Sequence, residues 1–259
     1  MTINYNPRIV TSGLVLHLDA ANPKSYPGTG TTWNDLSGNR NNGTLINGPT
    51  FNGGNGGYII CDGVNDYVEV TERNTNLEFH PLQPYSAFCW VYNLTGTSAG
   101  GAIFANMINS VSYQGWDLWI NNTTEIATHL ISSWSANASK VAINFDFAGN
   151  ANKWVNVGYT YNGTSPANST DSLNSINFYV NGILRTTGKR VDIADGFNTA
   201  TETISYNTSQ RFRIASRWQS GTISSGRPVT ISNVSIYNRA LTAQEIVQNF
   251  EAVRGRYGV

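Results

Sequence analysis

The stretch Val229-Thr230-Ile231-Ser232-Asn233-Val234-Ser235-Ile236-Tyr237, followed by Thr242-Ala243-Gln244-Glu245, decides the fold class of this chain. The first part alternates at strand spacing, and neither of its two faces is wholly apolar, which is typical of a strand with one partly exposed side. Thr242 and Glu245 match a capping box, in which each side chain hydrogen-bonds the backbone of the other residue. Apolar residues then recur at helical spacing up to Val253, and Gly255 is a stop signal. We therefore predict a long strand followed by a short helix at about residues 242–254, which docks on the rest of the fold.

Short apolar runs recur along the whole chain and are separated by Gly and Asn clusters, which form tight turns. Residues 86–92 are almost continuously apolar, which indicates a strand buried on both faces. Asn181-Gly182 predicts a two-residue hairpin turn between residues 176–180 and 183–185. A second hairpin is predicted from residues 57–61 and 67–70, around Asp62 to Asp66. Further strands are predicted at 13–18, 116–120, 141–145, 154–161 and 212–215. The chain is therefore predicted to be all-β, an antiparallel β-sandwich of two sheets with one short C-terminal helix.

The charge content excludes several functions. Only 12% of the 259 residues are charged and the formal net charge is zero, whereas nucleic-acid binders carry a basic stripe. Arg211, Arg213 and Arg217 alternate with apolar residues and are expected on the solvent face of a strand. No transmembrane run or secretory signal is present, so we expect folding in a cytosol, or secretion by an unusual route. Cys61 and Cys89 are expected to be buried free thiols, although a disulfide stays open.

The sequence carries no recognisable catalytic pattern. Glycoside cleavage needs two carboxylates across the sugar bond, and no strand carries them at alternate positions. His17, His80 and His129 are scattered, with no nucleophile motif or zinc spacing around them. We therefore expect a binding module without enzymatic activity.

Sugar recognition uses exposed aromatic rings with polar neighbours. Trp134 and Trp218 lie in polar, loop-like segments, and Arg217 is a nearby polar partner. These three residues are the predicted glycan contacts, with core packing as the alternative for each tryptophan. Trp116 and Trp119 have opposite parity on one strand, so one ring is expected inside the sandwich and the other outside.

Four segments together resemble the laminin-G-like, concanavalin A-like jelly-roll family. They are residues 13–22 with 33–45, residues 61–68, residues 154–161 with 178–182, and residues 231–246. The resemblance implies one jelly-roll domain over residues 13–259 after an N-terminal extension at 1–12. It also implies two stacked curved sheets, a concave face, and often a structural calcium ion. The calcium ligands that it implies are Asp19, Asp62, Gly63 and Asn233, with the alternative that Asp62 and Asp66 only cap turns.

A looser resemblance concerns the setting in which the domain works. An uncharged copy rich in Asn, Gly and Thr that begins at Met1 without a signal is similar to virion proteins of tailed bacteriophages. This implies a capsid or tail accessory protein, made in the host cytoplasm, whose partners are other virion proteins and host surface glycan. A homo-oligomer is compatible with this role, whereas nucleic acid and membrane insertion are not expected. The alternatives are an extracellular carbohydrate-binding adhesin that is not viral, and a polysaccharide depolymerase.

Overall fold

The computed structural model describes residues 7–72, 74–92, 94, 100–107, 113–121, 123–133, 137–164, 169–195, 204–206, 210–219, 222–224 and 227–259. Most of these residues form two antiparallel sheets that face each other across one core. None of the described helices is long and apolar enough to cross a membrane. The predicted all-β sandwich is confirmed.

The first sheet has eight strands in the order β14-β13-β12-β7-β19-β5-β4, and β1 also pairs with β19. Its central strands β7, β12 and β19 are buried along almost their whole length. The strands of this sheet are β1 (Leu14–Asp19), β4 (Thr50–Asn52), β5 (Tyr58–Cys61), β7 (Tyr85–Tyr92), β12 (Trp154–Tyr161), β13 (Ile176–Val180), β14 (Ile183–Arg185) and β19 (Val229–Tyr237).

The second sheet has nine strands in the order β15-β11-β10-β9-β8-β16-β6-β3-β2. These strands are β2 (Thr32–Trp33), β3 (Gly43–Ile46), β6 (Tyr67–Val70), β8 (Gly101–Met107), β9 (Gly115–Ile120), β10 (Glu125–Ser133), β11 (Asn137–Asn144), β15 (Arg190–Asp195) and β16 (Arg213–Ile214). A separate hairpin pairs β17 (Arg217–Gln219) with β18 (Thr222–Ser224). The α-helices in the described part of the chain are α1 (Ser169–Ser175) and α2 (Ala243–Val253), of which α1 was not predicted.

Strand alternation decides which side chains enter the core. On β9, Trp116 and Leu118 belong to the central core, while Trp119 packs in a separate cluster on the opposite face of the sheet. The predicted opposite placement of Trp116 and Trp119 is thus confirmed. Cys61 and Cys89 also lie in the core, as free thiols.

The turn at Asn181-Gly182 is also as predicted. Both residues have positive φ, 51° and 75°, which matches the two-residue turns that suit the twist of a hairpin. The second predicted hairpin is wrong. β5 pairs with β19 and β4 in the first sheet, whereas β6 pairs with β16 and β3 in the second. The Asp62–Asp66 segment therefore crosses from one sheet to the other. In sequence, such a crossing looks the same as a hairpin, because both are two apolar runs joined by a turn.

The helix α2 covers the outer face of the first sheet. Thr242 and Glu245 form the predicted capping box, and Ile246 is buried against Phe88 and Tyr237. On β19, Thr230 and Ser235 stay partly exposed, as expected for a strand with one partly exposed side. Val10, in the predicted N-terminal extension, also packs in this cluster, and its backbone N–H donates to Asn249 Oδ1 at 2.7 Å.

Candidate functional site

A row of charged side chains crosses the outer face of the nine-stranded sheet, on the side away from the core. Cross-strand pairing aligns Glu69 on β6, Arg213 on β16, Ala105 on β8 and Asp117 on β9. His129 on β10 continues the line, because its backbone N–H donates to Asp117 Oδ1 at 2.9 Å. We call Glu69, Arg213 and Asp117 the charged row.

Asp117 lies at the end of this row. Its carboxylate is fully buried and lies 2.9 and 3.0 Å from Nδ1 of His129. The Nη1 atom of Arg217 lies 3.4 Å from Asp117 Oδ2. A buried carboxylate is stable only when it is paired and hydrogen-bonded, and these contacts supply both conditions.

Arg217 comes from the β17–β18 hairpin and connects it to the sheet. Its guanidinium carbon lies 3.7 Å from the centre of the Trp119 ring and 5.7 Å from that of Tyr113. Burial lowers the pKa of this guanidinium, and the Asp117 carboxylate opposes the decrease. Stacking on aromatic rings together with an ion pair fixes the planar guanidinium in one orientation. Arg217 therefore anchors the hairpin to the outer face of the sheet.

The three residues predicted as glycan contacts are found in different surroundings. Arg217 is only 9% exposed and is engaged by Asp117 and Trp119, so it positions the hairpin instead of reaching into solvent. Trp218 lies on β17, where its backbone pairs with Ile223. Trp134 lies outside the described residues. The role of the two tryptophans as glycan contacts stays a prediction.

The expectation that the alternating arginines face solvent is wrong for Arg217, which is buried against Asp117, and for Arg213. Arg213 does lie on the outer face of the sheet, but it is 3% exposed and its Nη2 atom is 2.6 Å from Glu69 Oε2. Glu125, further along β10, is paired with Arg190. Among the described side chains of the outer face, the carboxylates of Glu69, Asp117 and Glu125 are thus each paired with an arginine.

The spacing of these carboxylates is too wide for two-carboxylate sugar cleavage. Asp117 and Glu69 are three strand spacings apart, about 14 Å, and Glu125 is four residues along β10 from the partner of Asp117, about 13 Å. Glycosidases place their two carboxyl groups roughly 5 to 9.5 Å apart. This arrangement forms ion pairs and does not form an acid–base pair.

Residues 62–247 match the family model of the concanavalin A-like lectin/glucanases superfamily. The chain belongs to this superfamily. A comparison with curated proteins finds no match.

Among solved structures, this concanavalin A-like domain is similar to binding domains of botulinum neurotoxins. The serotype D ligand binding domain in complex with N-acetylneuraminic acid has a TM-score of 0.63 at 16% identity, over 93% of this chain and 51% of that one. The DC binding domain in complex with rat synaptotagmin II has a TM-score of 0.64 at 17% identity, over 94% and 52%. The chain spans about half the length of these domains, and at this identity the likeness shows the fold.

The calcium ligands implied by the superfamily do not converge on one point. Asp19 and Asn233 are cross-strand partners on β1 and β19. Asp62 directly follows Cys61, which pairs with Val229 at the other end of β19. Val229 and Asn233 are four positions apart on β19, so Asp62 lies more than about 13 Å from the first pair.

The carboxylates at both places already have partners. Nη1 of Arg256 donates to Asp19 Oδ1 and Oδ2 at 2.9 and 2.7 Å. Asp62 Oδ1 accepts three backbone N–H groups, and the bond from Val64 contributes most to lowering the pKa of this carboxyl. Gly63, at φ +81°, packs against the backbone of Arg227 and Pro228. The four residues do not fit one calcium ion, and Asp62 makes the turn-capping bonds of the alternative interpretation.

Sequence reasoning missed Asp117 and His129 as a unit. Asp117 shares its strand face with Trp119, and alternation alone does not say which face of the strand points away from the core. The strand β10, which carries His129, was not predicted, because its Thr, His and Ser residues interrupt the apolar pattern. The pairing of β9 with β10, which brings the two side chains together, is not encoded in any local motif.

Proposed function

We propose that this domain binds carbohydrate on a cell surface without altering it, through the β17–β18 hairpin and neighbouring loops of the nine-stranded sheet. The observation that carries the proposal is the anchoring of the hairpin. Arg217 holds it by an ion pair to buried Asp117 and by a 3.7 Å stack on Trp119. A recognition loop fixed in this way loses little entropy on binding.

The charge arrangement on the same face supports binding over catalysis. Asp117 and His129 are 0% and 4% exposed, so a polysaccharide chain does not reach them in this conformation. The described outer-face carboxylates Glu69, Asp117 and Glu125 are neutralised by arginines, at spacings that glycosidases do not use. The solved relatives named above include a domain bound to a sialic acid and one bound to a protein receptor, which supports recognition of either kind of ligand.

The finer part of the proposal is that the domain is displayed on a virion, as a capsid or tail accessory protein. Both cysteines are free and buried, as in proteins that fold in a reducing host cytoplasm. A particle carries many copies, so a weak single site gains avidity. The alternative setting is an extracellular adhesin that is not viral.

A glycan array probed with the purified protein and with particles that carry it tests recognition. We expect retention of a defined set of glycans, and reduced retention by Trp218→Ala and Trp134→Ala, because stacking on a tryptophan contributes to sugar affinity. Incubation with host envelope polysaccharide tests the absence of catalysis. Release of new reducing ends would contradict the proposal, as would an array on which no glycan is retained. Labelling of the protein in purified particles tests its place on a virion.

A further inference from the structure

A polar cleft of about 250 Å³ lies at the edge of the sandwich, away from the charged row and the hairpin. Its walls come from both sheets, since Asn144 ends β11 and Arg185 ends β14. Asp146, Asn150 and Thr187 line the rim, and Val180 and Phe145, each 5% exposed, form the apolar floor. The volume is slightly below the lower end of drug-sized pockets, about 300 Å³, and suits one sugar ring.

We infer that this cleft binds a monosaccharide unit carrying a carboxylate, such as a uronic acid residue, with Arg185 as its anion partner. The inference rests on the proposed function of carbohydrate binding but assigns it to different residues. An apolar floor with a few convergent polar groups is the usual composition of a ligand site.

Arg185 is free to bind an anion. Its side chain is exposed, and in the described part of the chain it has no hydrogen bond or ion pair, although Asp146 lines the same cleft. Six other arginines are each paired with a carboxylate, namely Arg190, Arg213, Arg217, Arg239, Arg254 and Arg256. A guanidinium binds a carboxylate through two parallel hydrogen bonds, so a sugar carboxylate completes the pairing that Arg185 lacks.

The polar groups around Arg185 are held in place before any ligand arrives. Asp146 Oδ1 accepts the backbone N–H of Gly149 at 2.8 Å, and Asn150 Nδ2 donates to the Asp146 carbonyl at 2.6 Å. The backbone N–H of Asn144 donates to the Thr187 carbonyl at 3.3 Å and ties the two walls together. Asp146 Oδ2 keeps its acceptor capacity for a sugar hydroxyl, because Oδ1 alone makes the described side-chain bond.

The side chains of Asn144 and Asp146 occupy space that is available only because Gly188 and Gly149 have no Cβ atom. A Cβ at Gly188, which has φ +66°, would lie 2.2 Å from Cγ of Asn144, and a Cβ at Gly149 would lie 2.0 Å from Oδ2 of Asp146. The amide of Asn144 and the carboxylate of Asp146 therefore rest directly on backbone. Such fixed groups bind a hydroxyl with little loss of side-chain entropy.

The test compares sugars that differ only in the carboxylate. Methyl glucuronide and methyl galacturonide are titrated beside methyl glucoside and methyl galactoside, and the side-chain signals of Arg185, Asn144 and Asn150 are followed by NMR. We expect at least one uronide to bind and to shift these signals, with its neutral counterpart about tenfold weaker or worse. Arg185→Gln should weaken uronide binding about tenfold to a hundredfold and leave binding of the neutral sugar within about twofold. Asn144→Asp, which adds a negative charge without adding volume, should weaken uronide binding as well.

Arg40→Gln is the matched control, because Arg40 is also exposed and lies beside β2 and β3, at the opposite edge of the nine-stranded sheet. Circular dichroism and melting establish that each variant is folded. Equal binding of uronides and neutral sugars, absence of uronide binding, or unchanged uronide binding by Arg185→Gln would each overturn the inference. If glycans are retained on an array and only the hairpin variant Trp218→Ala loses them, the cleft is wrong and the proposed function stands. If no carbohydrate binds at all, the proposed function itself is wrong.

Discussion

Arg256, close to the C-terminus, binds Asp19 at the end of the first strand through both carboxylate oxygens, at 2.9 and 2.7 Å. The side chain of Asp19 is 4% exposed and that of Arg256 is 35% exposed. Next to them, the hydroxyl of Tyr257 donates to Ser232 Oγ at 2.9 Å, and its ring stacks on Trp90 with centres 4.1 Å apart. The guanidinium of Arg256 and the ring of Tyr257 thus fix this segment to the first sheet.

Replacing Arg256 should destabilise the fold. Arg256→Gln leaves the nearly buried Asp19 carboxylate without its charged partner, and the expected loss is about 2 kcal/mol of unfolding free energy. Urea unfolding measures it. The matched change Asp19→Asn and the double variant complete a cycle, in which the pair should show a coupling of more than about 0.5 kcal/mol. Additive effects of the two changes would contradict a direct interaction.

Calcium should have no effect on the stability of the wild-type protein. Asp19 is bound by Arg256, and Asp62 lies more than about 13 Å from Asn233 by the strand geometry. Binding of an ion at a hundred times its dissociation constant adds about 2.7 kcal/mol, which melting curves resolve easily. We therefore expect superimposable curves with excess calcium and with a chelator. A higher melting temperature in calcium would show that ligands other than these four hold an ion.

Local patterns were sufficient for most of the fold. β12, β13, β14 and β19 have the predicted bounds, because their alternation and the Asn181-Gly182 turn act over a few neighbouring residues. The failed hairpin at β5 and β6 shows the limit, since the choice between turning back and crossing to the other sheet depends on distant partners. For β5 the partner is β19, about 170 residues later in the chain.

The sites were less predictable than the fold for the same reason. The local pattern predicted Arg217 as a polar partner of its neighbour Trp218. The burial of Arg217 depends instead on Asp117, which lies 100 residues away in sequence. The cleft at the sandwich edge combines residues of β11 and β14, from different sheets. Pairing of distant strands decides both arrangements, and no single segment contains that information.

The apolar stripe of α2 should stabilise the fold through Ile246 more than through Phe250. Ile246 is 1% exposed, so Ile246→Ala should cost about 2 to 5 kcal/mol. Phe250 stacks on Trp90 with ring centres 5.5 Å apart but is only partly buried, so Phe250→Ala should cost less than the roughly 3 kcal/mol of an enclosed ring. Val247→Ala is the matched control, because Val247 is 45% exposed. Urea unfolding ranks the three, and equal losses would show that the helix does not dock as described.

Acidification should weaken the fold through His17. Burial lowers the pKa of this imidazole below 6.5, against the opposing influence of Asp19 and Asp35. Between the two pKa values the unfolded chain binds more protons than the folded one, so stability falls as the pH drops below about 6.5. Burial lowers the pKa of His80 as well. Unfolding free energies at pH 7.5 and 5.5 should differ less in His17→Asn than in the wild type, and least in His17→Asn/His80→Asn. An unchanged difference in both variants would rule out these imidazoles as its source.

Removal of the Asp117 charge should release the hairpin from the sheet. Asp117→Asn keeps the volume but leaves the Arg217 guanidinium, 10% exposed in its side chain, without its anion. Breaking a buried pair in this way costs about 3 to 5 kcal/mol. The exposed pair Glu251–Arg254, with side chains 41% and 44% exposed, is the matched control, and Glu251→Gln should cost less than about 1 kcal/mol.

Because Arg217 alone belongs to both the ion pair and the hairpin, amide hydrogen exchange should accelerate in β17 and β18 of Asp117→Asn before it does in the central strands β7 and β12. Glycan retention should decrease in parallel if the hairpin contributes the contacts. The prediction is contradicted if Asp117→Asn unfolds at the same urea concentration as the wild type and its hairpin amides stay fully protected. The Asp117–Arg217 contact would then not hold the hairpin to the sheet.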